Sequence, residues 1–333
     1  MNKHLVKFLF LILLTPLSGC VGEHSYADTP EGNFEELWKI LDEGYCFFDY
    51  KQIDWDYIHE IYKEQIYPAM SENELFDTLS QMLNELKDGH VNLMGDSYHS
   101  GYMGFMNGYQ DNFNWSVLRN YLDTNSRKAD DAEYVILRDN IAYVYISNFS
   151  ETVTYSAMNT MFNYIRNCDG LIIDIRNNGG GTITNATKVA SCFTDKKILS
   201  GYILHKTGKG RNDFSAPQPI YLNPSSDIIW LKNVVVLTNR RTYSAANHFV
   251  NVMKCLPHVT IIGDTSGGGS GLPFTSELPN GWQVRFSASP ILSIKKEHTE
   301  FGVEPDIHVD MEEEDEKKGV DTIIESACTF LLK

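Results

Sequence analysis

Val234-Val235-Val236-Leu237 is an uninterrupted apolar run, followed by the polar turn Thr238 to Tyr243 and then by Ser244-Ala245-Ala246. A buried strand, a tight turn and a serine at the start of a helix make a placement that suits a nucleophile. The first backbone N–H groups of a helix have no internal acceptor, and its positive dipole end favours negative charge on an attacked carbonyl oxygen. A plainer reading of Ser244 is a helix N-cap, a role serine fills often. Two further loops carry glycine clusters after apolar runs. Asp174-Ile175-Arg176-Asn177-Asn178-Gly179-Gly180-Gly181 can bring backbone close to a ligand, because glycine tolerates conformations that other residues avoid. Its spacing does not fit the dinucleotide fingerprint. Gly263-Asp264-Thr265-Ser266-Gly267-Gly268-Gly269-Ser270 comes near a phosphate-binding loop, but Gly269 stands where the lysine is required. Nucleotide hydrolysis is therefore not indicated.

The elements that must position these residues are legible as patterns. Phe34, Leu37, Trp38 and Leu41 recur at helical spacing behind Asn33 and Glu36, which read as a capping box. Asp54 suits the cap of a second helix with Trp55, Ile58, Tyr62 and Ile66. Ser71 and Glu74 open a third, with Leu75, Leu79, Met82, Leu83 and Leu86 on one face, and Gly89 reads as the residue that stops it. Residues 34–95 thus form a small helical domain that delivers His90 on its exit loop. Residues 96–132, rich in Gly, Tyr, Asn and Asp, carry no clear periodicity. From 133 to 333, continuous apolar strands at Ile141–Ile146, Leu171–Ile175, Val234–Leu237 and Thr260–Ile262 alternate with helical stretches. That alternation predicts an α/β core with a sheet covered on both faces. Trp282–Ser287 and Ile291–Ile294 read as a late hairpin. Glu312–Glu316 reads as a solvated acidic face, and Val320 to Leu331 as a last amphipathic helix.

Composition narrows the function classes. With 333 residues, 42% hydrophobic and 22% charged, the chain suits a globular protein of about two domains. The formal net charge of −16 and the lack of a lysine or arginine cluster argue against nucleic-acid binding. Lys3 and Lys7, the apolar run Phe8–Leu14 and Leu17-Ser18-Gly19-Cys20 read as an export signal. The last four residues resemble a bacterial lipobox. On that reading residues 1–19 are removed, Cys20 is lipidated, residues 20–33 are a tether, and membrane contact runs through the lipid alone, in the bacterial cell envelope. The remaining cysteines, Cys46, Cys168, Cys192, Cys255 and Cys328, lack the spacing of a zinc site or a disulfide scaffold.

Leu86-Lys87-Asp88-Gly89-His90, Asp174 to Gly181, Thr242 to Ala246, Ile262 to Ser270 and Gly302-Val303-Glu304-Pro305-Asp306 follow one another in a telling order. In that order the chain resembles the C-terminal processing (tail-specific) serine protease family over residues 34 to 328. The resemblance implies a ClpP/crotonase-like α/β core with a small N-terminal helical domain and Ser244 as nucleophile. It also implies an oxyanion hole from the N–H groups of Ala245 and Gly180. Many members use a lysine base in a Gly-Lys-Gly turn, which here aligns with Gly268-Gly269-Ser270, so that lysine is missing. The branch resembling the tricorn core protease and the interphotoreceptor retinoid-binding proteins uses a histidine after the helical domain, which His90 matches. A neutral imidazole, with an ordinary pKa of about 6.5, is a competent base at neutral pH. Gly89 replaces the serine that precedes that histidine in the tricorn core, and Glu300 or Glu304 lies near the place of its supporting glutamate; Glu300 is assigned here. His248, one turn after Ser244, is a rival base, expected to project away from the helix end. The stretch between His90 and Ile141 is too short for the PDZ domain that many processing proteases carry. No cofactor or metal is implied, and the expected partner is a peptide or unfolded protein substrate. The alternative is an inactive peptide- or ligand-binding protein on the same scaffold.

Overall fold

The structure is a computed structural model that describes residues 26–122 and 125–333; the export signal and Cys20 lie outside the described residues. Four helices come first: α1 (Pro30–Gly44), α2 (Phe48–Lys51), α3 (Trp55–Lys63) and α4 (Glu72–Asn84). Thr29, not Asn33, caps α1, accepting from Gly32 N–H at 3.0 Å. Asn33 and Glu36 lie inside the helix because Pro30, whose fixed φ suits a first turn, starts it earlier. Asp54 caps α3 and Ser71 with Glu74 forms a complete capping box on α4, as their spacing predicts. Gly89 does not stop α4. The helix ends at Asn84, and Lys87 takes the left-handed conformation at φ 47°.

The helical domain ends in a short strand, β1 (Asn92–Met94), and the segment without periodicity contributes α5 (Trp115–Tyr121) and β2 (Arg127–Ala129). The core follows with β3 (Ala132–Ile136), β4 (Ile141–Ile146), α6 (Tyr155–Ile165), β5 (Gly170–Asp174), α7 (Ile183–Ala190), β6 (Ile198–Ile203), β7 (Gln218–Leu222), β8 (Val234–Thr238), α8 (Ala245–Met253), β9 (Val259–Gly263), β10 (Gly271–Glu277), β11 (Gln283–Leu292), β12 (Ile307–His308), α9 (Glu313–Lys317) and α10 (Thr322–Leu331). A seven-stranded sheet runs β12-β9-β8-β5-β4-β3-β2, parallel from β12 to β4 and antiparallel beyond. The apolar runs of its central strands need two covers, and they have them. Ala142, Val144, Leu171, Ile173, Val234 and Val236 pack on the side of α6, α7 and α8. Their alternate neighbours Tyr143, Ile172, Val235 and Leu237 pack on the side of α5 and α10.

The second sheet is antiparallel, in the order β1-β11-β6-β7, with β10 also on β11. The late hairpin expected between Trp282–Ser287 and Ile291–Ile294 is instead one ten-residue strand, β11, whose hairpin partner β10 lies upstream. Phe286 and Val284 on β11 and Leu93 on β1 join Leu37, Leu41, Tyr45, Phe47 and Trp55 in one apolar cluster. The helical domain is thereby fixed to the core through β11, and His90 leaves α4 directly into β1. The five cysteines among the described residues are all free.

Candidate active site

Ser244 ends the turn after β8 and begins α8 with φ 58° and ψ −120°, a conformation costly for a residue with a side chain. The turn is clamped on both sides. Tyr243 N–H donates to the Asn178 carbonyl at 3.0 Å, Thr242 Oγ1 donates to the Ile175 carbonyl at 3.0 Å, and Ser244 N–H donates to the Gly268 carbonyl at 2.8 Å. The two glycine loops therefore hold the turn from either side. The Ser244 hydroxyl caps nothing in α8; its Oγ lies 2.8 Å from His90 Nε2. The plain N-cap reading does not describe this serine.

His90 is buried, and burial holds its imidazole down at about 4, against the pull of Asp88, which favours the charged ring. Arg285 pushes in the same direction as burial. The Gly271 backbone favours protonation, yet among the described residues Nδ1 completes no hydrogen bond. Asp88, fully buried, is the group that orients the loop: its Oδ1 accepts the His90 backbone N–H at 2.8 Å, and its Oδ2 accepts from Tyr45 Oη at 3.1 Å. Glu300 does not reach the imidazole. Its Oε2 accepts from Ser270 N–H at 2.9 Å, and its Oε1 pairs with Lys51 Nζ at 2.9 Å. Lys51 lies 3.6 Å from Asp88 Oδ2, so the support behind His90 runs Asp88, Lys51, Glu300. Burial raises the Glu300 carboxyl, with Asp88 adding to it and Lys51 opposing. Burial alone would lower Lys51, but the two carboxylates outweigh it and hold the ammonium charged. Glu304 takes no part; its carbonyl accepts from Lys254.

The glycine triple lies against this turn. A Cβ on Gly180 would stand 2.8 Å from Ser244 Cβ and 2.9 Å from Ala245 N. Yet Gly180 N–H already donates to Asn178 Oδ1 at 2.9 Å, so its assignment as an oxyanion donor needs correcting. Asn178 folds its side chain back on the loop and takes that amide. Among the described residues no acceptor takes the N–H of Gly181 or Ala245, and both border the cavity beside Ser244. That cavity, about 370 Å³, is also walled by Thr182, Leu272, Arg285, Thr299 and His248. His248 thus faces the same cavity rather than away from it, although among the described residues nothing bonds its Nδ1. A second cavity of about 530 Å³ opens on the other side, between Gly89, Met103, Phe105, Trp115, Gly179 and Tyr243. Part of its wall comes from the segment whose sequence shows no periodicity, where Phe105 stacks on Tyr243 with ring centres 4.5 Å apart. A larger space of about 590 Å³ on the helical domain borders neither Ser244 nor His90.

Residues 140–309 match the description of peptidase family S41, and residues 26–84 that of the tricorn protease C1 domain. The chain belongs to peptidase family S41. Its α/β core with an N-terminal helical domain is the family's fold. A crystal structure of a protein from Parabacteroides merdae assigned as a peptidase is 49% identical with a TM-score of 0.87, covering 92% of this chain and 97% of that one. The chloroplastic C-terminal processing peptidase of Tetradesmus obliquus is 27% identical over 181 residues, 53% of this chain and 36% of that protein. The tricorn protease shares the fold, with a TM-score of 0.55 at 16% identity over 91% of this chain and 36% of that one. The chain thus spans little more than a third of that curated relative's length.

Both departures from the S41 patterns have one physical origin. A Cβ on Gly89 would lie 2.8 Å from Tyr243 Oη, and a Cβ on Gly269, at φ 75°, would lie 2.5 Å from Tyr243 Cζ. The Tyr243 ring fills the space that a serine or a lysine side chain would need. Sequence reading missed Lys51, Asn178 and Tyr243 as parts of the site. Asp88, two residues before His90, carried a local signal, since an Asx side chain that accepts the N–H two residues on is a recurring loop device.

Proposed function

We propose that this S41 protein is an exported, lipid-anchored peptidase that hydrolyses peptide bonds through an acyl-enzyme on Ser244, with His90 as general base. The observation that carries the reading is the 2.8 Å approach of His90 Nε2 to Ser244 Oγ across two parts of the fold, beside an open cavity. In this mechanism the tautomer with its proton on Nδ1, toward the Gly271 backbone, leaves Nε2 free to accept. Ser244 Oγ attacks the substrate carbonyl as its proton passes to Nε2. The oxyanion is met by the N–H of Ala245 at the start of α8 and by that of Gly181, which takes over the role expected of Gly180. The imidazolium, held by burial as a strong acid, then protonates the departing amine. Water then attacks the acyl carbon as its proton passes to Nε2, the ester bond to Ser244 Oγ breaks, and the imidazolium returns the proton to Oγ as the acid product leaves. Asp88 stabilises the transient imidazolium through space, and Glu300 acts at one remove by fixing Lys51.

The binding-protein reading rests on one observation, that among the described residues no carboxylate bonds His90 Nδ1. A fluorophosphonate probe separates the two. Wild type should label in minutes while Ser244→Ala does not label and His90→Ala labels at least about 10²-fold more slowly. Equal labelling of wild type and His90→Ala would remove His90 as base, and no labelling of wild type would favour the binding protein. Export and anchoring rest on Lys3 to Cys20. Cys20→Ser should release the protein from detergent-extracted membranes, and unchanged fractionation would refute the anchor.

A further inference from the structure

The chain carries 44 acidic residues against 28 basic ones, so an arginine without an acidic partner needs a reason. Arg285 is such a residue. It sits near the start of β11, opposite Thr275 on β10 and Asn92 on β1, and it borders the cavity that holds His90 and Ser244. Among the described residues it makes no ion pair, whereas the buried cations Lys51 and Arg176 are paired at 2.9 Å and 2.5 Å, and the buried Arg240 donates to the carbonyls of Phe105, Ser266 and Phe301. Among the described residues no aspartate or glutamate borders the cavity. Its two histidines are neutral at physiological pH, each held down at about 4 chiefly by burial. Among the described residues Arg285 is therefore the one charged side chain on the walls of this cavity. It is half-buried by the strands on either side, so it is partly stripped of water and still open to a ligand.

We propose that Arg285 is a specificity-determining residue that receives a substrate carboxylate next to the scissile bond. The inference rests on the Ser244 peptidase reading and adds the substrate class. Guanidinium is planar and carries paired donors matched to a carboxylate, and such charge-assisted bonds are about twice as strong as neutral ones. The cost of holding an unpaired arginine half-buried is recovered only when an anion enters. Two sources supply the same group: an acidic side chain beside the cleaved bond, or the free C-terminus of a chain trimmed a short distance from its end.

The test uses four fluorogenic peptides of one sequence, with Glu or Gln beside the cleaved bond and a free or amidated C-terminus. Binding to Ser244→Ala is measured by anisotropy and turnover by wild type. In both readouts at least one carboxylate form should be favoured by about 10- to 100-fold over the neutral peptide. Preference for Glu identifies an acidic side chain, and preference for the free acid identifies the C-terminus. Arg285→Gln should level the preference, and Arg285→Glu should turn it toward a Lys-containing peptide. Equal binding of all four peptides, or a preference that survives Arg285→Gln, overturns the proposal. Failure of wild type to label with the fluorophosphonate, with the binding preference intact, would sink the peptidase reading and leave the carboxylate site standing.

Discussion

Lys51 Nζ, at the end of α2 in the helical domain, lies 2.9 Å from Glu300 Oε1 in the loop after β11, and both side chains are 3% exposed. This pair ties together the two parts of the fold that supply His90 and Ser244. The lysine balances two buried carboxylates, Glu300 and Asp88, and its remaining donors reach the carbonyls of Leu86 and Lys87 just before the His90 loop. The charge balance at Lys51 lets the loop that carries His90 stay buried.

Replacing Lys51 by Met should therefore cost about 3–5 kcal/mol of unfolding free energy, the usual penalty for leaving a buried charge without its partner. Urea denaturation of the purified variant measures it. Lys51→Met with Glu300→Gln should recover part of the loss, because the neutral amide no longer needs the cation. A loss below about 1 kcal/mol in the single variant would mean that water, not Lys51, balances the carboxylates.

The acid limb of activity gives a second check. His90 must be neutral to accept the Ser244 proton, and burial holds it at about 4 although Asp88 favours its charge and Arg285 opposes it. As pH falls, kcat/KM should stay level well below neutrality and drop only through about pH 4, not near the ordinary value of about 6.5. Stability has the matching sign. The folded pKa lies below the unfolded one, so the unfolded chain binds the extra proton first and stability is lost as pH falls from about 6.5 toward 4. A limb at pH 6 to 7 that disappears in His90→Ala would show that the imidazole is solvated in the working enzyme.

What the sequence made legible was local. Capping pairs such as Ser71 with Glu74, the strand Ile141–Ile146 and the helix Ala245–Met253 appear where their periodicity places them, because each is decided within a few residues. The strand β10 was missed and β11 was split, since Pro273 and Pro290 interrupt patterns that only cross-strand pairing makes regular. At the site, Ser244 and His90 stood out by motif, but Lys51 did not. Its partners Asp88 and Glu300 lie far along the chain, and an isolated lysine near a helix end ordinarily faces water. At Gly180 the local signal pointed the other way: Asn178 takes the amide two residues on, the same Asx device that Asp88 uses at His90, and so leaves the Gly181 N–H open instead.

Restoring the lysine of the Ser-Lys members should fail. Gly269→Lys puts a side chain at φ 75°, where its Cβ would meet the Tyr243 ring at 2.5 Å, so Tyr243 or the turn must move. The variant should lose about 10-fold or more in probe labelling, and its melting temperature should fall, since overpacking of this kind costs about 1–3 kcal/mol. Labelling at or above wild-type rate, with a new basic pKa in its pH profile, would show that the space can accept a lysine base.

The last expectation concerns Ser244 itself, where stability and chemistry pull apart. A serine that caps a helix costs about 0.5–2 kcal/mol when replaced by alanine, but Ser244 makes no cap hydrogen bond and its hydroxyl is turned to His90. Ser244→Ala should therefore unfold at nearly the wild-type urea concentration while losing all probe labelling. Ser244→Gly goes further. At φ 58° and ψ −120° a Cβ is strained, and glycine removes that strain at the expense of a more flexible unfolded chain. The strain relief is worth about 1–3 kcal/mol and the flexibility costs up to about 1, so the glycine variant should be the more stable of the two by about 1 kcal/mol. That ordering, with both variants unlabelled, would mean the backbone is held in an unfavourable conformation so that Oγ can meet His90. A Ser244→Gly protein less stable than Ser244→Ala would instead show that the turn carries no strain, and that the clamps at Asn178 and Gly268 follow the serine rather than force it.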